Sequence, residues 1–263
     1  MSMYLEMIRI RFLMMLAYRL NYYIGILIYA INIGAYYFLW DAIYGSRETL
    51  GGLTALQMSS YIAISWMARA FYFNNMDREM AGEIKEGRVA IELIRPYNYL
   101  LMKTMQALGE GIFRFLFISI PGMILVSFLF PIYIPSSIDV FILYFISITM
   151  AFLINTQINL ITGILTFYFF NIDGLMHTKR VIIDLFSGLL IPIMLFPTWA
   201  ANLLQFLPFQ AISYLPAMIF TEGITGSKAF EAIGIQFFWF LILFIPISFL
   251  WSRAKRHMIV QGG

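Results

Sequence analysis

The chain contains no cysteine and few charged residues, and both shortages narrow the classes of protein it can represent. Without cysteine it can form no disulfide, no thiolate metal site and no cysteine nucleophile. Only 12% of its 263 residues are charged, whereas soluble domains carry about 25%. A soluble core could not cover the 61% of residues that are hydrophobic. We therefore expect a lipid bilayer to cover much of this surface.

Sequence motifs typical of enzymes are also missing. The nucleotide-binding pattern G-x-x-x-x-G-K-[ST] does not occur, and neither does the zinc-protease pattern H-E-x-x-H. Asp173 and His177 lie four residues apart, but two ligands do not make a metal site. We therefore predict no catalytic residues, no metal site and no cofactor bound by this chain itself.

Long apolar runs predict an all-α membrane protein that forms one transmembrane domain over residues 1–263. A membrane-spanning helix needs about 20 mostly apolar residues. The fourth run continues to residue 170, and we interpret it as one tilted span followed by a cytoplasmic extension. The six predicted spans cover residues 21–40, 53–73, 112–130, 140–162, 181–197 and 233–251.

The distribution of lysine and arginine predicts that both termini are cytoplasmic. Cytoplasmic loops of membrane proteins carry an excess of these residues. With both ends inside, only Arg47 and Lys228 fall on the outer side. Arg19 interrupts the N-terminal apolar stretch and no small-residue cleavage site follows, so we expect no cleaved signal peptide. The predicted inner cations are Arg9, Arg11, Arg19, Arg78, Lys85, Arg88, Arg95, Lys103, Lys179, Arg180, Arg253, Lys255 and Arg256.

The predicted inner loop, residues 74–103, is the longest hydrophilic stretch and is rich in helix formers. We predict two short helices in it, since Gly87 can end the first and Pro96 stops the second, residues 89–94. Three acidic residues fall on one stripe of the first helix, and Ile84 and Ile91 fall on another side. These acidic residues are Glu79, Glu83 and Glu86.

Two interpretations of this loop remain open. It could be a coupling element that binds a motor subunit at the inner membrane surface, with its apolar face in the partner's groove. Alternatively, it could be a solvated loop that charge alone stabilises.

A second irregular segment, residues 196–226, is apolar but contains Pro197, Pro208 and Pro216. Proline interrupts helices because it lacks a backbone N–H. We expect short helices here that re-enter the outer leaflet, where irregular backbone must be buried against protein or water.

Polar residues within the predicted spans are candidates for function because they are costly in lipid. Asn155, Asn159 and Thr162 share one face of the fourth span. They could line a substrate pathway, or they could form hydrogen bonds between helices. Among the ionisable residues, we expect Arg69 to reach the inner surface or pair with Glu110.

The fifth span offers a further ion pair, since Arg180 and Asp184 stand four residues apart at its inner end. We interpret this pair as structural.

The inner loop carries a family resemblance. Residues 83–89 (EIKEGRV), followed by 93–97 (LIRPY), resemble the loop after the second span in permease subunits of type-2 ATP-binding-cassette transporters, the ABCG-like class of type V exporters. The six spans agree, and so do residues 207–209 (LPF) and 214–216 (YLP) in the outer segment. One departure is the N-terminal stretch, whose charged residues do not form the amphipathic connecting helix that the family implies.

The resemblance implies a multi-pass subunit of a bacterial inner (plasma) membrane that carries out no chemistry itself. ATP and Mg²⁺ would be bound by a separate cytoplasmic ATPase. A second permease, identical or a sister subunit, would complete the substrate pathway. Independently of the resemblance, the small net charge of +3 does not indicate nucleic-acid binding. The residues that would contact the ATPase are Glu79, Glu83, Glu86, Gly87, Arg88, Arg95 and Pro96.

Two other functions remain possible from the sequence. A secondary transporter or channel not driven by ATP would need a buried acid or a broken-helix ion site within the spans. A membrane anchor without transport activity would not need the polar face of the fourth span.

Overall fold

The computed structural model describes residues 3–17, 20–169 and 172–256, and Arg19 lies outside them. These residues are almost entirely helical. A two-residue hairpin pairs Thr49 with Thr54 and Leu50 with Leu53. The α-helices are α1 (Met3–Ala17), α2 (Leu20–Tyr44), α3 (Ala55–Tyr72), α4 (Met76–Lys85), α5 (Val89–Ile94), α6 (Tyr99–Arg114), α7 (Ile120–Leu129), α8 (Ile138–Ile164), α9 (Asp173–Phe186), α10 (Thr198–Gln205), α11 (Tyr214–Phe220), α12 (Ser227–Ile242) and α13 (Phe244–Ala254).

Four helical stretches among the described residues are long and apolar enough to cross a membrane. Their exposed side chains are largely apolar, as lipid contact requires. Two of the stretches join consecutive helices, α6 with α7 and α12 with α13. The multi-pass membrane character that the sequence predicted is thereby supported. The four stretches are Tyr23–Tyr44, Tyr99–Leu129, Ile138–Phe167 and Ser227–Ala254.

The predicted second and fifth spans are not among these four. The second, α3, has 18 residues, most of them buried by other helices. The fifth, predicted over residues 181–197, differs more, because the helix runs from Asp173 to Phe186 and then ends. Pro192 and Pro197 each remove a backbone donor from the rest of the segment. A topology of six spans with cytoplasmic ends stays a prediction.

α8 lies at the centre of the bundle and packs against α3, α4, α11, α12 and α13. The fourth apolar run of the sequence, which continues to residue 170, is longer than one span requires. In the structure one helix continues to Ile164 and ends in a 3₁₀ turn, Leu165–Phe167. The end of α8 contacts α4, where Met80 packs against Gly163. We call this end of the bundle the α4–α5 end.

The proline-containing segment 196–226 folds into short helices, as predicted, and it is tied to the bundle by side-chain hydrogen bonds. Gln236 of α12 donates to the carbonyl of Ala211 at 2.8 Å, and Gln57 of α3 donates to that of Thr221 at 2.9 Å. Irregular backbone is thus satisfied inside the protein. Whether the segment re-enters the outer leaflet stays a prediction.

The stretch from α6 to α7 contains a π-helical turn, Phe115–Ser119. The amide of Ile120 donates to the carbonyl of Phe115, five residues earlier. Pro121 follows directly and has no N–H to donate. The wide turn therefore joins two α-helices across a position where the regular bonding pattern would fail.

The N-terminal helix α1 packs closely along α6 at Gly109. A Cβ atom at this position would lie 2.4 Å from the carbonyl oxygen of Ile8. No side-chain rotation can relieve that overlap, because the obstructing atom belongs to the backbone of α1. Glycine at residue 109 is therefore required for the observed contact between the two helices.

We expect Gly109→Ala to separate α1 from α6 and to lower the stability of the protein by about 2 kcal/mol, as overpacking does. The measurement is the thermal unfolding midpoint in mild detergent. Gly234→Ala is the matched control, since nothing lies within 4 Å of a Cβ built there. An equal loss in both variants would contradict the close-contact interpretation.

Candidate functional site

The two predicted short helices of the inner loop are present as α4 and α5. They meet at Gly87, whose φ of +72° is a left-handed conformation that favours glycine. The amide of Gly87 donates to the carbonyl of Ile84, which closes the end of α4. Pro96 follows α5, as the sequence predicted. This local chemistry sets α4 and α5 as two rigid pieces with a sharp bend between them.

Two of the three acidic residues of the predicted stripe bind cations of other helices. Glu79 accepts a hydrogen bond from Arg11 of α1. Glu83 accepts from Lys103 Nζ and from the Tyr99 hydroxyl of α6, both at 2.6 Å. The side chain of Lys103 is only 4% exposed. These contacts fasten α4 to α1 and α6, a role that the sequence analysis did not predict for Glu79 and Glu83.

Glu110 of α6 joins two arginines in the interior of this junction. Its side chain is 5% exposed and accepts from Arg11 Nη2 at 2.7 Å and from Arg114 Nη2 at 2.5 Å. Burial lowers the pKa of Arg11, but the carboxylates of Glu79 and Glu110 together raise this pKa by more than burial lowers it, so the net shift is upward. The predicted pairing of Arg69 with Glu110 was wrong, because Glu110 lies on the face of α6 that packs against α1.

Arg69 of α3 binds Asp184 of α9 instead. Its Nε donates to Oδ1 at 3.0 Å, and its Nη2 donates to Oδ1 at 2.8 Å and Oδ2 at 2.7 Å. The predicted pair of Arg180 with Asp184 was therefore also wrong. The side chain of Arg180 turns toward Phe73, with its guanidinium 5.2 Å from the ring centroid.

A third polar connection links α4 to α8 and α9 through Lys179. Its Nζ donates to Asp77 Oδ2 and to Asn159 Oδ1, each at 2.5 Å. Burial lowers the pKa of Lys179, although the neighbouring carboxylate of Asp77 opposes this shift. Asn159 in turn donates to Asn74 Oδ1 at 2.9 Å. The start of α4 is thus held by side chains of two other helices.

The three residues predicted to line a pathway are buried on α8. Asn155 donates to the carbonyl of Tyr72 at 2.9 Å, and Thr162 donates to that of Ile158, also at 2.9 Å. The amide groups of Asn155 and Asn159 thus donate to residues outside α8, whereas the Thr162 bond lies within this helix. This arrangement agrees with hydrogen bonding between helices, and contact with a substrate stays a prediction.

The remaining predicted contact residues form an exposed surface around α5. Glu86 pairs with Arg88 on the surface, and Arg95 pairs with Glu92 of α5. Gly87 and Pro96 are also exposed. We name this set the α5 surface, and it comprises Glu86, Gly87, Arg88, Ile91, Ile94, Arg95 and Pro96.

Two apolar members of the α5 surface are unusually exposed. Ile94 is 84% exposed and Ile91 is 58% exposed, and both lie among charged side chains. The sequence analysis did not select Ile94, because a helix of six residues is too short for an apolar period to be recognised. Within the described residues, no group of three His, Asp or Glu side chains could hold a metal ion.

The family described as "ABC-2 family transporter protein" matches residues 30–262. The chain belongs to the ABC-2 transporter family. Membership of this family implies that the chain is the membrane component of an ABC transporter, and α4 and α5 lie within the matched residues. No curated protein matches this ABC-2 permease.

We expect Glu110→Gln to destabilise the ABC-2 permease by about 3 kcal/mol, because it removes the buried negative charge that Arg11 and Arg114 share. Glu86→Gln is the matched control. Its ion pair with Arg88 is about 60% exposed, and such pairs contribute about 0–1 kcal/mol. Chemical denaturation in mild detergent measures both, and similar losses would show that burial of Glu110 does not govern its contribution.

Proposed function

We propose that this permease is the membrane subunit of an ATP-driven exporter that works by alternating access. The observation that carries this proposal is the attachment of α4. Ion pairs and hydrogen bonds connect this one short helix to α1, α6 and α9, and it packs directly against α8. A displacement of α4 at the membrane surface would therefore move the ends of several membrane helices together. This is the mechanical property that a coupling element requires.

The α5 surface is the proposed contact with the ATPase. Its exposed isoleucines offer apolar area to a groove, and the charged residues around them can fix orientation. Glu79 and Glu83 have a different role in the proposed coupling site from that of the α5 surface. They transmit the displacement inward through Arg11 and Lys103 rather than binding the partner themselves.

The complete transporter would contain components beyond this chain. ATP and Mg²⁺ would bind to a cytoplasmic ATPase, and a second permease would face this one across the substrate pathway. Asn155, Asn159 and Thr162 are proposed to lie near that pathway. We also propose six spans, cytoplasmic termini, a bacterial inner membrane and export as the direction of transport.

The alternative, a secondary transporter or channel, requires an available ionisable group within the spans. Glu110 is the buried acid of the stretch Tyr99–Leu129. Its two carboxylate oxygens each bind an arginine, so it offers no unpaired charge for a transported ion. This observation favours the ATP-driven function over the alternative.

We expect Ile94→Ser to reduce retention of the ATPase during mild-detergent purification at least tenfold, because it removes the most exposed apolar side chain of α5. Ile138→Ser is the matched control, since Ile138 is 72% exposed at the opposite end of α8. Mass spectrometry of the copurified proteins makes the measurement. Normal ATPase retention by Ile94→Ser would contradict the proposed contact.

A separate prediction concerns the pathway. If Asn155 and Asn159 contact a substrate, the double change to Leu should alter the range of exported substrates while ATPase retention stays normal. The measurement is transport into inverted membrane vesicles that contain the reconstituted complex. An unchanged range would assign both residues to helix packing alone.

A further inference from the structure

Three guanidinium groups surround the ring of Phe73, at the junction between α3 and α4. The centroid of this ring lies 4.9 Å from Arg69 Cζ, 5.2 Å from Arg180 Cζ and 5.5 Å from Arg114 Cζ. Each contact is within the distance at which a cation is attracted to an aromatic face. One half-buried ring therefore gathers cations from three helices that are distant in sequence.

The three arginines differ in their acidic partners. Arg69 binds Asp184 through three hydrogen bonds, and Arg114 binds Glu110. Arg180 is exposed and contacts no carboxylate in the described ranges, and its hydrogen bond to Asn75 Oδ1 is long at 3.5 Å. Such a bond lies at the limit of effective geometry. Arg180 thus retains capacity to bind an anion.

A small polar cavity opens beside these groups. Its ionisable lining consists of three cations and two carboxylates, so it carries one excess positive charge. Its volume of about 20 Å³ admits about one water molecule. A larger anion would therefore lie at the rim, where Arg180 is exposed. The ionisable lining residues are Arg69, Asp77, Lys179, Arg180 and Asp184.

The position of this rim relative to the apolar helices restricts the source of the anion. Arg69 lies in the last turn of α3, and Arg114 lies at the start of the apolar half of the stretch Tyr99–Leu129. As ends of apolar segments, both positions would lie at the headgroup level of a bilayer, where long cationic side chains reach the interface. Basic pockets between membrane helices on the cytoplasmic side are known to bind anionic lipid headgroups.

We propose that Arg180, supported by Arg69 and Phe73, binds the phosphate group of an anionic phospholipid of the inner leaflet. The assignment to the inner leaflet rests on the orientation in the proposed function, whereas the binding itself needs no ATPase. Guanidinium and phosphate match in geometry and charge. The acyl chains would extend along the exposed apolar surface of the neighbouring helices.

Native mass spectrometry of the purified full-length chain in mild detergent tests this site without the ATPase. The probes are phosphatidylglycerol, phosphatidylcholine, diacylglycerol and inorganic phosphate. We expect phosphatidylglycerol to bind at least tenfold more tightly than the two lipids without net charge. Arg180→Gln should remove most of this preference, and Arg180→Lys should restore part of it.

Arg78→Gln is the matched control, because Arg78 is exposed on α4 and the substitution removes one positive charge, as Arg180→Gln does. Its preference for phosphatidylglycerol should equal that of the unaltered chain. Undiminished preference in Arg180→Gln, or equal binding of diacylglycerol, would overturn the proposal. If inorganic phosphate binds as tightly as phosphatidylglycerol, and Arg180→Gln weakens both equally, the site binds an oxyanion but its ligand is a soluble phosphate. That result would overturn the assignment to a lipid. Failure of ATPase copurification would leave all of these results unaffected.

Discussion

The structure of this permease depends on one constraint, which is that a charge removed from water must have a partner. Most of its buried charges lie at the α4–α5 end, and their partners come from distant parts of the chain. Glu110 holds two arginines, one of them from the N-terminal helix. Because removing one partner leaves the other charge buried without compensation, these pairs specify which helices pack together. The apolar surfaces of the same helices, by contrast, would tolerate many arrangements in lipid.

The same pairing gives residues 74–103 two structural layers. Acidic residues of α4 face inward and bind the bundle, while α5 presents isoleucines and surface ion pairs outward. The bend at Gly87 separates the two layers. A partner protein could therefore bind α5 while α4 conveys its movement, and neither role would compromise the other.

Much of the helical layout could be predicted from the sequence, because it depends on local signals. Apolar runs marked the long helices, and Gly87 and Pro96 marked the ends of α4 and α5. The partners of the charges could not be predicted in this way. Arg69 binds Asp184, 115 residues away, and no local spacing encodes that distance. The helix predicted over residues 181–197 ends at Phe186, where Gly188 follows with a φ of +86°, a conformation that favours glycine. Ile94 was missed because six residues carry no measurable period.

The π-helical turn between α6 and α7 has a consequence for how these helices can move. A π turn accommodates one residue more than the α-helical turn beside it, and one residue corresponds to a rotation of about 100° around the helix axis. If this turn migrated or closed, α7 would rotate relative to α6 with little change in length. α7 could thus rotate about its own axis and present a different set of side chains to its surroundings, while α6, which holds Glu110, stays fixed.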